Sequence, residues 1–201
     1  MGRGETIRPP LGGSARAADD GPASAAFAQA VLRGDEELLA SAIRHHLPRL
    51  LGYLTRLGGD PGLAEDIAQE TLLRAVLACR RGDPPRRLGT WLYAVATNLW
   101  RDVARSAERR WTTPGLPADA PGRDATDAAV DASLVRLALA RLPRELRVVL
   151  VLHFYEGFAQ REIALATGAP LGTVKWRMHM ALRRMRALLG PEFGGSQEGQ
   201  R

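Results

Sequence analysis

Apolar side chains between residues 25 and 57 return every three to four positions. Leu38, Leu39, Ile43, Leu47, Leu50, Leu51 and Leu54 predict the buried stripe of one short and one longer helix, stopped by Gly58-Gly59. Asp60-Pro61-Gly62 then supplies an N-cap and a first-turn proline, so Leu63 to Cys79 continues as a helix. The prolines and glycines of residues 80–89 exclude regular structure. Beyond them Thr90 is the expected cap of a helix from Trp91 through about Arg109, with Leu92, Val95, Ala96, Leu99 and Val103 on its buried side. A further helix spans Leu134 to Leu142, and Pro143 opens the next, which runs through Tyr155 to a stop at Gly157. Its near-continuous run of Val148, Val149, Leu150, Val151, Leu152 and Phe154 makes it the spine of a second core. After Phe158, Ile163 and Ala164 point inward from a short helix, and Gly168 permits a reversal. The last helix places Val174, Met178, Ala181 and Met185 on one side.

No segment carries a strand pattern, so the expected fold class is all-α, with two small helical domains joined by a flexible linker. Residues 1–24 read as a disordered tail, 25–110 as the first domain, 111–130 as the linker, 131–189 as the second domain and 190–201 as a carboxyl-terminal tail. The whole chain has 201 residues, 45% of them hydrophobic, which is material for small cores rather than one large one.

Composition narrows the chemistry. One cysteine, Cys79, allows neither a disulfide framework nor a thiolate metal cluster, and a reducing cytoplasm is its simplest home. Neither a signal-peptide core nor a bilayer-length apolar run is visible. His45 and His46 are adjacent, with no carboxylate or cysteine at ligand spacing, so no metal site is expected. His153 and Glu156 lie close to each other without a nucleophile, and read as surface or core-edge groups. The absence of a nucleophile–base pair or phosphate loop argues against an enzyme and against any cofactor. A net charge of +6 fits a polyanionic partner and a merely solvated basic surface alike.

The placement of charge separates those two options. Residues 158–186 have the grammar of a helix-turn-helix, whose second helix enters a DNA major groove. Lys175, Trp176, His179, Arg183 and Arg186 fall opposite its apolar side, and no Asp or Glu occurs from Ile163 to Pro191. Such a surface is presented to phosphate. Upstream, Trp91, Asn98, Arg101 and Arg105 share a helix face beside a loop bearing Arg80, Arg81, Arg86 and Arg87. An aromatic ring, an amide and guanidiniums suit a single nucleic-acid strand, although a half-buried tryptophan beside ordinary surface arginines gives the same pattern. Asp66, Gln69, Glu70 and Leu73 share another face, either a solvated acidic surface or a docking face for a basic partner.

Three motifs, in order, resemble bacterial RNA polymerase sigma factors of the extracytoplasmic-function (ECF) group. They are Ala64-Glu65-Asp66-Ile67-Ala68-Gln69-Glu70-Thr71, Thr90-Trp91-Leu92-Tyr93-Ala94-Val95-Ala96-Thr97-Asn98, and Glu162-Ile163-Ala164 with Pro170-Leu171-Gly172-Thr173-Val174-Lys175. The resemblance covers about Phe27 to Leu189 outside the linker. It implies that Asp66, Gln69, Glu70 and Leu73 dock on the β′ clamp helices of core RNA polymerase, with the β flap as a second contact. It implies that the Arg80, Arg81, Arg86 and Arg87 loop and the face of Trp91, Asn98, Arg101 and Arg105 open and hold the minus-ten promoter strand. Gly172, Thr173, Lys175, Trp176, Arg177, His179 and Arg183 would read the minus-thirty-five duplex. An anti-sigma factor is an expected partner. The chain departs from the family at Ala159, which lacks a capping hydroxyl, at Leu88, and at Trp176, Met180 and Leu182, so the base preference does not carry over. The competing reading is a stand-alone helix-turn-helix activator, which leaves the Asp66 face and the Trp91 helix without a role.

Overall fold

A computed structural model describes residues 21–58, 60–110 and 127–190. The amino-terminal tail up to residue 20, the linker up to residue 126 and the tail from residue 191 lie outside the described residues. Eight helices and no strands make up the described part. In order they are α1 (Gly21–Arg33), α2 (Glu36–Gly58), α3 (Pro61–Arg80), α4 (Leu88–Arg110), α5 (Asp127–Arg141), α6 (Arg144–Phe154), α7 (Gln160–Thr167) and α8 (Leu171–Leu189).

Several boundaries follow from the expected chemistry. Asp60 caps α3, its side chain accepting from Leu63 N at 3.1 Å, with Pro61 in the first turn where a missing N–H costs nothing. Gly168 ends α7 in the left-handed region at φ 66, a conformation that penalises any side chain with a Cβ. Ala159 contributes no capping oxygen, yet Glu162 supplies the reverse half of a capping box by accepting from Ala159 N at 2.8 Å. Pro143 sits at the N-cap position of α6.

Other boundaries differ from the sequence reading. Helix α1 begins at Gly21, inside the stretch assigned to the tail, because Ser24 is held in the core. Its Oγ accepts from Leu88 N at 2.7 Å, satisfying an orphan donor in the first turn of α4. Thr90 is therefore not the cap of that helix. The α4 start moves three residues earlier, from Trp91 to Leu88, which is fully buried. Likewise α5 begins at Asp127, inside the residues assigned to the linker. Leu38 and Val103 are exposed rather than buried.

The two predicted cores are continuous. One apolar cluster runs from Phe27 and Tyr53 through Leu92 and Trp100 to Val148, Ile163 and Met178. Helix α7 lies along α4, and α2 meets both α5 and α6. Aromatic side chains make the join: Tyr93 stands edge-on to Tyr53 at 5.1 Å and to Phe158 at 5.0 Å between centroids. Tyr53 is fully buried and its hydroxyl is satisfied through Thr97. Thr97 Oγ1 donates to Tyr93 O at 2.6 Å, so Tyr53 must be the donor in the 2.7 Å contact between the two hydroxyls. Where α2 ends, Gly58 accommodates Trp100 of α4, whose Nε1 would stand 2.9 Å from any added Cβ.

Candidate nucleic-acid interface

Helix α8 divides as its sequence indicates. Val174, Met178, Ala181 and Met185 are buried against the second module, while Lys175, Trp176, His179, Arg183 and Arg186 are exposed. Trp176 keeps 60% of its surface open to solvent, so its ring is not part of the core. Gly172, at the start of the helix, is also exposed. The segment carries its helix-turn-helix geometry through Gly168 and Pro170.

The basic loop between α3 and α4 keeps Arg80, Arg81, Arg86 and Arg87 exposed around a buried Pro85. Leu88 is buried beneath them, so its side chain anchors the loop instead of facing a ligand. Trp91 is half-buried and Asn98 exposed on the following helix. The docking candidates form one outward face of α3: Asp66, Gln69 and Leu73 are exposed, and Glu70 pairs with Arg74 at 2.7 Å.

What sequence periodicity could not supply is the pairing of the arginines. Arg101 and Arg177, on α4 and α8, share the carboxylate of Glu145. Arg101 makes a two-pronged contact, Nε to Oε1 at 3.0 Å and a terminal nitrogen to Oε2 at 2.7 Å. A third nitrogen donates to Thr167 O at 3.3 Å. Arg177 reaches the same Oε2 at 2.8 Å. Arg105 pairs with Asp102 on its own helix. Asn98, Arg101, Arg105, Thr173 and Arg177 thus line a single cleft of about 550 Å³ between the modules.

Two more residues that the sequence reading passed over fasten the same junction. Arg147 of α6 donates to the Leu57 carbonyl of α2 and to the carbonyls of Ala140 and Leu142. Tyr93 donates to Glu156 at 2.5 Å. Burial pushes the Glu156 carboxyl above its ordinary range, against the opposing pull of the Tyr93 hydrogen bond and of Arg56 and Arg49. Burial and the adjacent Glu156 charge together hold the Tyr93 phenol protonated. Glu156 is thus a core-edge group, as read, and His153 is another, its Nδ1 2.9 Å from Phe158 O. No local pattern reveals these cross-module partners, because they lie 44 to 90 positions apart. Cys79 is buried, and its thiol is raised by that burial, which suits an inert core residue.

Among the described residues no group of three or more His, Cys, Asp or Glu side chains is placed to hold a metal ion, and no helix is long and apolar enough to cross a membrane.

A helix-turn-helix module joined to a second helical module with its own basic face defines a two-part DNA-binding protein. The match to known families is specific: residues 42–110 fit the Sigma-70 region 2 model and residues 132–185 the Sigma-70 region 4 model. The ECF RNA polymerase sigma factor SigL of Mycobacterium tuberculosis is 38% identical over 162 residues, covering 76% of this chain and 89% of the relative. SigW of Bacillus subtilis, another ECF sigma factor, is 31% identical over 173 residues, covering 79% and 92%. The chain belongs to the ECF family of RNA polymerase sigma factors. Its fold is similar to that of the sigma factor RpoE of Bartonella quintana, solved with the anti-sigma factor NepR (TM-score 0.63, 24% identity, 75% of this chain and 96% of that one). CnrH, solved with the cytosolic domain of CnrY, shares it too (TM-score 0.61, 22% identity, 85% and 97%).

Proposed function

We propose that this sigma factor, which directs promoter-specific transcription initiation, divides that work between its two modules. The exposed face of Asp66, Gln69, Glu70 and Leu73 docks on the β′ clamp helices of core polymerase, and the second module adds a contact to the β flap. The loop of Arg80, Arg81, Arg86 and Arg87 with Trp91, Asn98, Arg101 and Arg105 holds the melted minus-ten strand. Rings stack on unpaired bases, and guanidiniums hold phosphates. Gly172, Thr173, Lys175, Trp176, Arg177, His179 and Arg183 bind the minus-thirty-five duplex in its major groove, where backbone contacts set the register and side chains read base edges.

The observation that supports this best is the exposed basic side of α8, with Lys175, Trp176, His179 and Arg183 all open to solvent. Bond-making chemistry belongs to the polymerase; this chain contributes binding energy and specificity, requires no cofactor and works in the cytoplasm. An anti-sigma factor holds it inactive, a reading supported by the similar sigma factor RpoE, which was solved in complex with the anti-sigma factor NepR. Recovery of a second protein from cells with the tagged chain checks that point; a pull-down containing polymerase alone counts against it.

Reconstituted transcription tests the main reading. Core polymerase with this protein starts RNA at a defined position on promoters selected from a random pool, with no other sigma factor present. The double reversal Asp66→Arg with Glu70→Arg abolishes polymerase binding while leaving duplex binding by α8 intact. Survival of polymerase binding in that variant would remove the docking assignment.

A further inference from the structure

We propose that Trp176 is a base-selecting residue of α8 and that it selects thymine, by covering the C5-methyl group in the major groove. This inference rests on the reading of α8 as the duplex-binding helix and adds the base that its ring prefers.

Position is the first argument. Helix α8 begins at Leu171, so Trp176 lies on its second turn, in the amino-terminal half that meets base edges when such a helix enters the groove. Val174 and Met178, two residues before and after it, stand nearly opposite on the helix and are both buried. Their burial fixes the rotation of α8 and turns Trp176 outward, with 60% of its surface in solvent. One turn back stands Gly172, where an added Cβ would meet nothing within 4 Å. The ground beside the ring is therefore open to a base pair.

Chemistry is the second. The other exposed side chains between Leu171 and Arg186 are Lys175, His179, Arg183, Arg184 and Arg186. Each can donate hydrogen bonds, which suits phosphate oxygens or guanine O6 and N7. Only the indole presents a broad apolar surface on this side of the helix. Thymine alone among the four bases carries a methyl group in the major groove, and an apolar side chain recognises it by taking it out of water. The indole N–H adds little discrimination, because one donor serves purine N7, guanine O6 or thymine O4 alike. The ring face therefore sets the preference, and the neighbouring cations supply affinity that does not depend on sequence.

Removing the methyl group from the DNA tests the assignment without altering the protein. The full-length chain with core polymerase selects promoter duplexes from a random pool, and a parallel selection uses the chain alone. Each thymine of the minus-thirty-five segment is then replaced singly by deoxyuridine, which lacks the methyl and keeps every hydrogen-bonding group. In the wild type one replacement weakens binding about fourfold, the effect of uncovering one methyl group. Trp176→Phe, which keeps an apolar ring and loses the N–H, retains that dependence. Trp176→Ala binds the thymine and deoxyuridine duplexes equally.

Wild-type affinity that no replacement changes overturns the proposal, whatever the variants do. A methyl dependence that survives in Trp176→Ala also overturns it, by assigning the methyl to another side chain such as Thr173. Unchanged binding of Trp176→Ala to every duplex overturns it too, and would place the ring on a protein partner. So do selections that enrich no thymine under α8. Failure of the sigma-factor reading looks different: core polymerase then neither binds nor transcribes with the protein, while duplexes selected by the chain alone carry the deoxyuridine series and still report on Trp176.

Discussion

Helices α4 and α8 both carry an arginine-bearing face beside an apolar one, yet the fold uses them differently. Helix α8 meets α5, α6 and α7 on one side and leaves the other to solvent, so its four buried residues and its basic positions alternate with helical period. Helix α4 is surrounded by α1, α2, α3 and α7. Leu92, Tyr93, Ala96, Thr97 and Trp100 are all buried, and part of its polar face is turned onto the other module. An amphipathic pattern reports a function-bearing face when only one side is packed. With a second layer covering the helix, the same pattern mixes structural and binding roles.

The sharpest way to break this contrast is to remove bulk from each helix. Leu92→Ala, at a fully buried site, should cost about 2–5 kcal/mol in denaturant unfolding. By contrast Trp176→Ala should change stability by no more than about 0.5 kcal/mol while weakening duplex binding. Equal losses in the two variants would mean that α8 is packed as α4 is.

A smaller effect probes the polar interior of α4. Thr97→Val keeps the shape but leaves the buried Tyr53 hydroxyl without its acceptor, at a cost of about 1–3 kcal/mol. A urea midpoint equal to that of the wild type would show that the hydroxyl finds another partner.

On α8, Arg183→Ala should leave thermal unfolding unchanged and lower the slope of log affinity against log salt by about one, the signature of one lost phosphate contact. A slope equal to that of the wild type would place Arg183 off the DNA.

The smallest expected effect is a pH dependence at the junction. Burial raises the Glu156 carboxyl in the folded protein, so the native state binds a proton that the unfolded chain has already released. Stability should therefore fall as pH rises from the ordinary glutamate range into the raised one, and level off above it. Glu156→Gln, which can still accept from Tyr93, should flatten that segment of the stability profile. A wild-type profile already flat there would refute the assignment.

Much of the molecule was readable from residues alone. Asp60-Pro61, Pro143 and Gly168 act through local backbone chemistry, and the Val148–Leu152 run and the Val174–Met185 stripe have a single buried destination, so periodicity located them. The helical class and the basic side of α8 followed from the same local rules. Other features required the packed molecule. The burial of Ser24 and the early start of α4 depend on a hydrogen bond across 64 positions. Leu38 has the helical spacing of the buried stripe, yet it is exposed, because which turns of α2 are covered is decided by the packing of the other helices. Most of all, the sequence could place Arg101 and Arg177 on helix faces but could not say that both would meet Glu145. Charge pairing between modules depends on where α7 lies against α4, a result of burying Tyr93, Trp100 and Phe158 together, and no spacing within either helix encodes it.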